Sequence, residues 1–455
     1  MSKETMCIRL SQNILLALMA IWVMVSCKKD DASADANQLQ YRRTVIVYMA
    51  AQNSLGTTED PENLAIASKL DSAEIAYGAH LLPSTDDNLL LFLDDARAPR
   101  LYRYFRSQGG GGHYTLLKKY SEDLSSTSSA TLTEVLNLAK LHCPSRSYAL
   151  VLWSHGLSWL PSLSSFYGNS YDAASKGVNL GRRPESFGID VGEGGNMLSD
   201  RAADGSLGEQ MEISDLAQAI EASEVRLDYI FFDACMMQSI EVAYALRHAA
   251  DYIVGSPALT SGYGCVYYDQ MKNGFFAYPS NDVNIAKMVD TYYYDVMEDK
   301  EWKERYDDQG CVISAIKTSS LESLMTSTRY YLRKVLPGRE ELDLSGVDGY
   351  IDFLLMGYPD SYDMGTIMHL LLSETDYADW ESVLRQCVVS RCASESFYSG
   401  NLGTFSQYGK TDLQHFAGVS MFVPQEKYTR YPAFLNYNEA IKSTEWFQQV
   451  GWPSE

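Results

Sequence analysis

The chain has 455 residues, 46% of them hydrophobic, enough for a large core and too many for one small domain. Its formal net charge of −22 excludes an ordinary nucleic-acid-binding surface, because phosphate backbones are met by clustered Lys and Arg. The acidity serves solubility or favours basic partners.

Residues 1–26 read as a targeting segment. A weakly basic start is followed by an apolar run from Ile14 to Val25, too short for a membrane span and suited to a signal-peptide core. The run closes on Met24-Val25-Ser26-Cys27, which resembles a bacterial lipobox, so Cys27 is the expected lipidation site. Residues 27–42, opening "CKKDDASADANQ", read as a polar, disordered tether. These features predict a lipid-anchored bacterial envelope protein, periplasmic or on the cell surface.

From residue 43 onward, continuous apolar strands alternate with helical patterns. "TVIVYMA" (44–50), "NLLLFLD" (88–94), "YALVLWS" (148–154), "LDYIFFDA" (227–234) and "DYIVGS" (251–256) suit strands buried on both faces of a mostly parallel sheet. Helices are predicted near 62–78, 129–142, 213–223 and 238–249, giving right-handed βαβ units. Segments 101–107 and 113–120 predict a rim hairpin. The stretch 157–210 is rich in Ser, Gly, Asn and Asp and lacks periodicity, as functional insertions often do. Beyond 280 come helices near 283–299, 318–335 and 379–390, and a late apolar strand at 416–424. The expected organisation is one strand–helix domain over 43–280, with a helical and β region over 281–455 packed on it.

Ligands of parallel α/β sheets bind at the carboxyl ends of the strands. Here "YALVLWSHG" delivers His155 and Gly156, while "LDYIFFDAC" delivers Cys235. If the two strands are neighbours, imidazole and thiol enter one crevice. A thiol needs help to ionise at neutral pH, and the helix predicted after Cys235, near 238–249, would supply it through its dipole. His155 can act as general base and then as acid towards a leaving amine. The backbone N–H groups of Gly156 and Cys235 can hold an oxyanion, with glycine admitting a scissile carbonyl. Asp233 shares a strand face with Cys235. A carboxylate there suits a pocket that takes the Arg or Lys side chain of a substrate. Of the eight cysteines, Cys265 is the rival thiol, but no helix stands behind it; the spacing of Cys387 and Cys392 is poor for zinc.

These residues resemble the clostripain-like cysteine peptidases, family C11, which share a caspase-type α/β/α sandwich with legumains, gingipains and separases. "YALVLWSHG" and "FFDACMMQSIEVAYAL" carry the resemblance, with "TVIVYMAAQNSLG", "SFGID", "MEISDLAQAI", "GSPALTSGYGCVYY" and "FAGVSMFVP" in support. It spans about residues 42–425 and makes 43–280 a caspase-like catalytic domain. The resemblance implies an endopeptidase with a Cys235–His155 dyad, cleaving after Arg or Lys, with Asp233 in the specificity pocket. The second acid that some members carry in the Gly-Tyr-Gly loop is missing: Cys265 and Val266 stand there, which leaves the strictness of that preference open. Several members cut themselves after the histidine, so Lys176, Arg182 and Arg183 are candidate self-cleavage sites. Calcium promotes activity in some members. The acidic stretch 190–209 has no calcium-loop spacing, so no metal or other cofactor is assigned. Peptides or proteins with basic residues are the expected partners. The alternatives are a catalytically silent, lipid-anchored homologue acting as a binding or scaffold protein, and another thiol acyl transfer such as transpeptidation.

Overall fold

The computed structural model describes residues 40–57, 66–122, 124–160, 186–261, 264–299, 310–337, 341–351, 359, 361–401, 404–428 and 437–452. The targeting segment, Cys27 and the candidate cleavage residues Lys176, Arg182 and Arg183 lie outside the described residues.

In chain order, β1 (Tyr41–Ala50) and β2 (Asp87–Asp94) lead to the hairpin β3 (Arg100–Arg106) and β4 (Gly112–Lys119), then to β5 (Ser145–Trp153). A small ribbon of β6 (Ser186–Asp190) and β7 (Glu209–Glu212) precedes β8 (Leu227–Asp233) and β9 (Ala250–Gly255). Later come β10 (Val312–Lys317), β11 (Tyr362–Asp363), β12 (Val388–Ala393), the hairpin β13 (Ser396–Asn401) and β14 (Thr404–Lys410), and β15 (Ser420–Met421).

Nine of these strands form one sheet in the order β12-β10-β9-β8-β5-β1-β2-β3-β4. The five central strands are parallel, and both edges finish with antiparallel pairs. The alternation along each strand feeds two cores. Ile46, Tyr48, Leu150, Leu152, Ile230 and Phe232 face one side, against helices Ser129–His142 and Ile213–Ser223. Val45, Val47, Ala149, Val151, Tyr229 and Phe231 face the other, against helices Ala67–Gly78 and Asp282–Met297. Burial on both faces explains the unbroken apolar runs. The result is an α/β/α sandwich, as expected. The region after 280 packs on this core and also enters its sheet through β10 and β12. The expected strand at 416–424 is reduced to β15, which pairs with β11 and makes one parallel bridge to Ser239.

At the other end of the sheet from the strand tips, Arg43 is fully buried. Its guanidinium reaches Ser147 Oγ at 2.8 Å, the carbonyls of Phe275 and Ala277 at 3.1 and 2.7 Å, and Asp228 at 2.9 Å. One side chain thereby ties β1, β5, β8 and the segment ahead of helix Asp282–Met297. Replacing it by Met takes the cation from Asp228, which keeps the Ser147 hydroxyl at 2.6 Å, and the guanidinium donor from Ala277 O, while Phe275 O keeps the Tyr229 hydroxyl at 2.9 Å. Arg43→Met is expected to cost about 3 kcal/mol, the lower end for a broken buried ion pair. Urea unfolding of the purified protein measures it.

Candidate active site

The parallel pairing of β5 with β8 sets Trp153 opposite Asp233. Two residues further along each strand stand His155 and Cys235, so the register alone delivers imidazole and thiol to neighbouring strand ends. Gly156 confirms how closely these ends approach. A Cβ built there would lie 2.3 Å from the Cys235 carbonyl oxygen and 2.7 Å from Met237 Cγ. Glycine is therefore required by the contact between the two turns.

His155 is held from behind. Its carbonyl accepts the Gly188 N–H at 2.8 Å, and the Leu157 N–H donates to Ser186 O at 3.2 Å. These two bonds, which make Gly156 opposite Phe187 an antiparallel pair, use neither the N–H nor the C=O of Gly156. The preceding Ser154 donates to Ala50 O at 2.7 Å. Asn53 Nδ2 binds Ala50 O, Ser154 Oγ and Ile189 O at 2.8, 3.2 and 2.8 Å, joining the ends of β1, β5 and β6. The His155 ring is 7% exposed. Its Nε2 lies 3.0 Å from Ser54 Oγ and 3.6 Å from Asp200 Oδ2. Burial pushes the imidazole below its usual pKa and the Asp200 charge opposes that shift, so at neutral pH the ring is a neutral base.

The chain beyond Cys235 departs from expectation. The helix begins at Ile240, capped by Ser239, and runs only to Ala245. Met236 takes a left-handed φ of 61°, and its N–H donates to Ala258 O at 2.9 Å. The backbone therefore turns before it coils, and the helix starts five residues past Cys235 rather than at the join. A donor to the sulfur comes instead from the segment after β9. Thr260 N–H points at Cys235 Sγ at 3.4 Å, and Thr260 Oγ1 lies 3.5 Å away. The Thr260 N–H can only donate to the sulfur, while Thr260 O, 3.9 Å away, is an acceptor for the S–H. The rival thiol, Cys265, is buried and its pKa is driven well up by burial and then by Asp233. Burial likewise pushes Cys143, Cys387 and Cys392 up to about 11, 12 and 11.

Asp233, two residues before Cys235, is 5% exposed. Its Oδ1 accepts the Cys265 N–H and its Oδ2 the Tyr267 hydroxyl, both at 3.0 Å. Gly264, with φ at +62°, closes over it: a Cβ there would be 2.6 Å from either carboxylate oxygen. Burial raises the Asp233 pKa to about 6 against the lowering effect of these hydrogen bonds. Asp71 takes the Trp153 Nε1–H at 2.6 Å and Glu74 takes the Tyr267 N–H at 2.8 Å. Among the described residues no Lys or Arg forms an ion pair with Asp233. Nor, among them, is any group of three or more His, Cys, Asp or Glu placed to hold a metal ion.

The sequence profile of the clostripain family, Peptidase_C11, matches residues 201–455. The chain belongs to the clostripain family. Family and fold make it a cysteine-type peptidase. Two solved structures share the fold: an inactive zymogen C11 protease from Parabacteroides distasonis, and a secreted C11 cysteine protease from Bacteroides thetaiotaomicron in complex with an irreversible peptide inhibitor. Each is 24% identical, with a TM-score of 0.66 over 90% of this chain and 98% and 99% of theirs. Among curated proteins no match is found.

Sequence reasoning missed Ser54, Asp200 and Thr260, which come from aperiodic loops and meet the strand ends only in the fold. The Gly156 contact gives the sharpest test of the clostripain-family geometry. Gly156→Ala is expected to lower kcat/KM by roughly 100-fold, the scale of an ångström-sized misplacement of reacting groups. Steady-state hydrolysis of a fluorogenic peptide reads it.

Proposed function

We propose that this protein is a cysteine endopeptidase that cleaves after Arg or Lys through Cys235 and His155. The observation that carries the proposal is the strand register that sets Trp153 opposite Asp233, and with it the contact of Gly156 on the Cys235 backbone.

In this reading a basic side chain of the substrate reaches the buried carboxylate of Asp233, which has hydrogen-bond donors about it but no cation among the described residues. His155 takes the thiol proton and the Cys235 thiolate adds to the following carbonyl carbon. The oxyanion is held by the N–H groups of Gly156 and Cys235. Collapse expels the amine, which receives the proton from His155. Water, deprotonated by the same imidazole, then releases the acyl group. Thr260 holds the sulfur before attack. Lipidation at Cys27 and self-cleavage at Lys176, Arg182 or Arg183 complete the proposal; they place the enzyme on the bacterial envelope and make it a zymogen. The intact mass of the envelope-extracted protein reports both modifications at once.

Two experiments test the chemistry. Cys235→Ala is expected to abolish turnover of Arg- and Lys-terminated fluorogenic peptides, and unchanged turnover would remove Cys235 from the mechanism. Asp233→Asn should lower kcat/KM for these substrates by about 2–5 kcal/mol, or roughly 30- to 5,000-fold, as expected for losing one partner of a buried charge pair.

The pH dependence has a defined sign. With its pKa raised to about 6, Asp233 is neutral in acid and pairs with a cation only once ionised. KM for a peptide with Arg before the scissile bond should therefore fall as pH rises through about 6. Asp233→Asn should erase that dependence. In the unliganded protein the same raised pKa contributes stability in acid, below the carboxyl's unfolded value, that is lost as pH rises through about 6.

A further inference from the structure

His155 has a backing that its role as a base does not by itself require. Ser54 comes directly after Asn53, whose side chain pins it to the ends of β1, β5 and β6. Asp200 comes from the connection between β6 and β7, at the end of the 3-10 turn Met197–Ser199, with a left-handed φ of 55°. Reciprocal backbone bonds between Asn196 and Arg201, and a Gly208 N–H donated to Asp200 O at 2.9 Å, hold it there. Both carboxylate oxygens are turned onto Ser54: Oδ1 accepts the Ser54 N–H at 2.7 Å, and Oδ2 accepts the Ser54 hydroxyl at 2.9 Å. Asp200 and His155 are each 7% exposed in their side chains. Among the described residues no Lys or Arg forms an ion pair with Asp200.

The direction of these bonds decides the state of the ring. An ionised carboxylate only accepts, and a serine hydroxyl has one hydrogen. That hydrogen goes to Asp200 Oδ2. Towards His155 Nε2, 3.0 Å away, Ser54 Oγ can therefore only accept. We propose that Asp200, acting through Ser54, fixes His155 in the tautomer that carries its proton on Nε2, so that Nδ1 is the nitrogen that takes the proton of the Cys235 thiol. This rests on His155 and Cys235 being the proton-transferring pair of the proposed function.

The step balances. The S–H bond breaks, its electron pair stays on sulfur, and a new N–H bond forms at Nδ1. The ring becomes an imidazolium whose Nε2–H keeps its bond to Ser54, and its charge faces Asp200 at 3.6 Å. Nδ1–H later protonates the departing amine. Ser54 and Asp200 touch no reacting atom, so they are positioning residues. Among the described residues, the turn after β1 brings Ser54 and the β6–β7 connection brings Asp200 to the ring, while β6 meets the His155 backbone. Asp200 is the charged group whose field is felt by the imidazole.

The test uses the full-length protein, with the ring state read by nitrogen NMR on histidine-labelled material. His155 is assigned by difference from His155→Gln. The wild type should show the proton on Nε2. In Asp200→Asn the amide can donate to Ser54, which turns the hydroxyl towards Nε2 and drives the ring proton to Nδ1. That variant and Ser54→Ala should lose roughly 100-fold or more in kcat/KM, the scale of general-base catalysis. The acid limb of kcat/KM in Asp200→Asn should move to lower pH, since the charge that raised the imidazole pKa is gone. Ser54→Thr, which keeps the hydroxyl, should restore most of the rate. The Ser54 pair leaves Asp200 in place and decides the matter even if Asp200→Asn does not fold. An inactive His155→Gln beside Ser54→Ala and Asp200→Asn variants with wild-type rate, acid limb and ring state would overturn the proposal. A His155→Gln variant that keeps both turnover and the wild-type rate of Cys235 alkylation by iodoacetamide would instead overturn the underlying pair.

Discussion

The parallel ladder between β5 and β8 is the constraint on which the rest depends. The two strands are separated by more than seventy residues of chain, and nothing local relates His155 to Cys235. What relates them is that every residue from Ala149 to Trp153 has one partner from Tyr229 to Asp233. Because side chains alternate with period two, a slip by one residue would send either group to the wrong face. The slip is prevented by burial on both faces, since Val151 and Phe231 belong to one core while Leu152 and Phe232 belong to the other. The packing of the sheet and the geometry of the site are thus one specification.

The same physics sets how much of the fold is legible in the sequence. The central strands are readable because two-sided burial leaves unbroken apolar runs, and four of the predicted helices are found within a few residues of their expected bounds. Two elements misread for identifiable reasons. The apolar run 416–424 looks like a strand, but Gly418 has φ of +79° and the N–H groups of Ala417 and Gly418 go to the Asp363 carboxylate. A side chain has replaced the ladder over most of the segment. The helix expected from 238 begins at Ile240 and ends at Ala245, because Gln238 is committed elsewhere. Its N–H goes to Ser256 O, and its side chain reaches Ile253 O and Ser314.

The site divides in the same way. Cys235, His155, Gly156 and Asp233 lie on or just past strands, where periodicity assigns position and face. Asp200, Ser54 and Thr260 lie in turns, where no period exists and only tertiary contact assigns a role. Asp200 belongs to the aperiodic stretch 157–210, which the sequence marks as an insertion of functional character without saying which residue matters. Its αL conformation suits Asp and Asn among non-glycine residues, yet the same signal occurs at many inert turns.

Met236 shows what the fold invests in the nucleophile. A non-glycine residue at φ of 61° costs on the order of 1–3 kcal/mol and persists only where its surroundings over-determine it. Here they do. The side chain is fully buried in a cluster with Ala258, Leu259, Val312, Tyr350, Phe397 and Phe416, and its N–H is taken by Ala258 O. Three of those neighbours, Tyr350, Phe397 and Phe416, come from the chain beyond residue 340, and Val312 opens β10. The C-terminal region therefore does more than extend the sheet: it supplies the packing that holds the turn after Cys235 in a strained shape. Without that turn the chain would pass from β8 straight into a helix, and the sulfur would not lie against Thr260. The strain is local to the nucleophile, while the interactions that sustain it are drawn from the far end of the sequence.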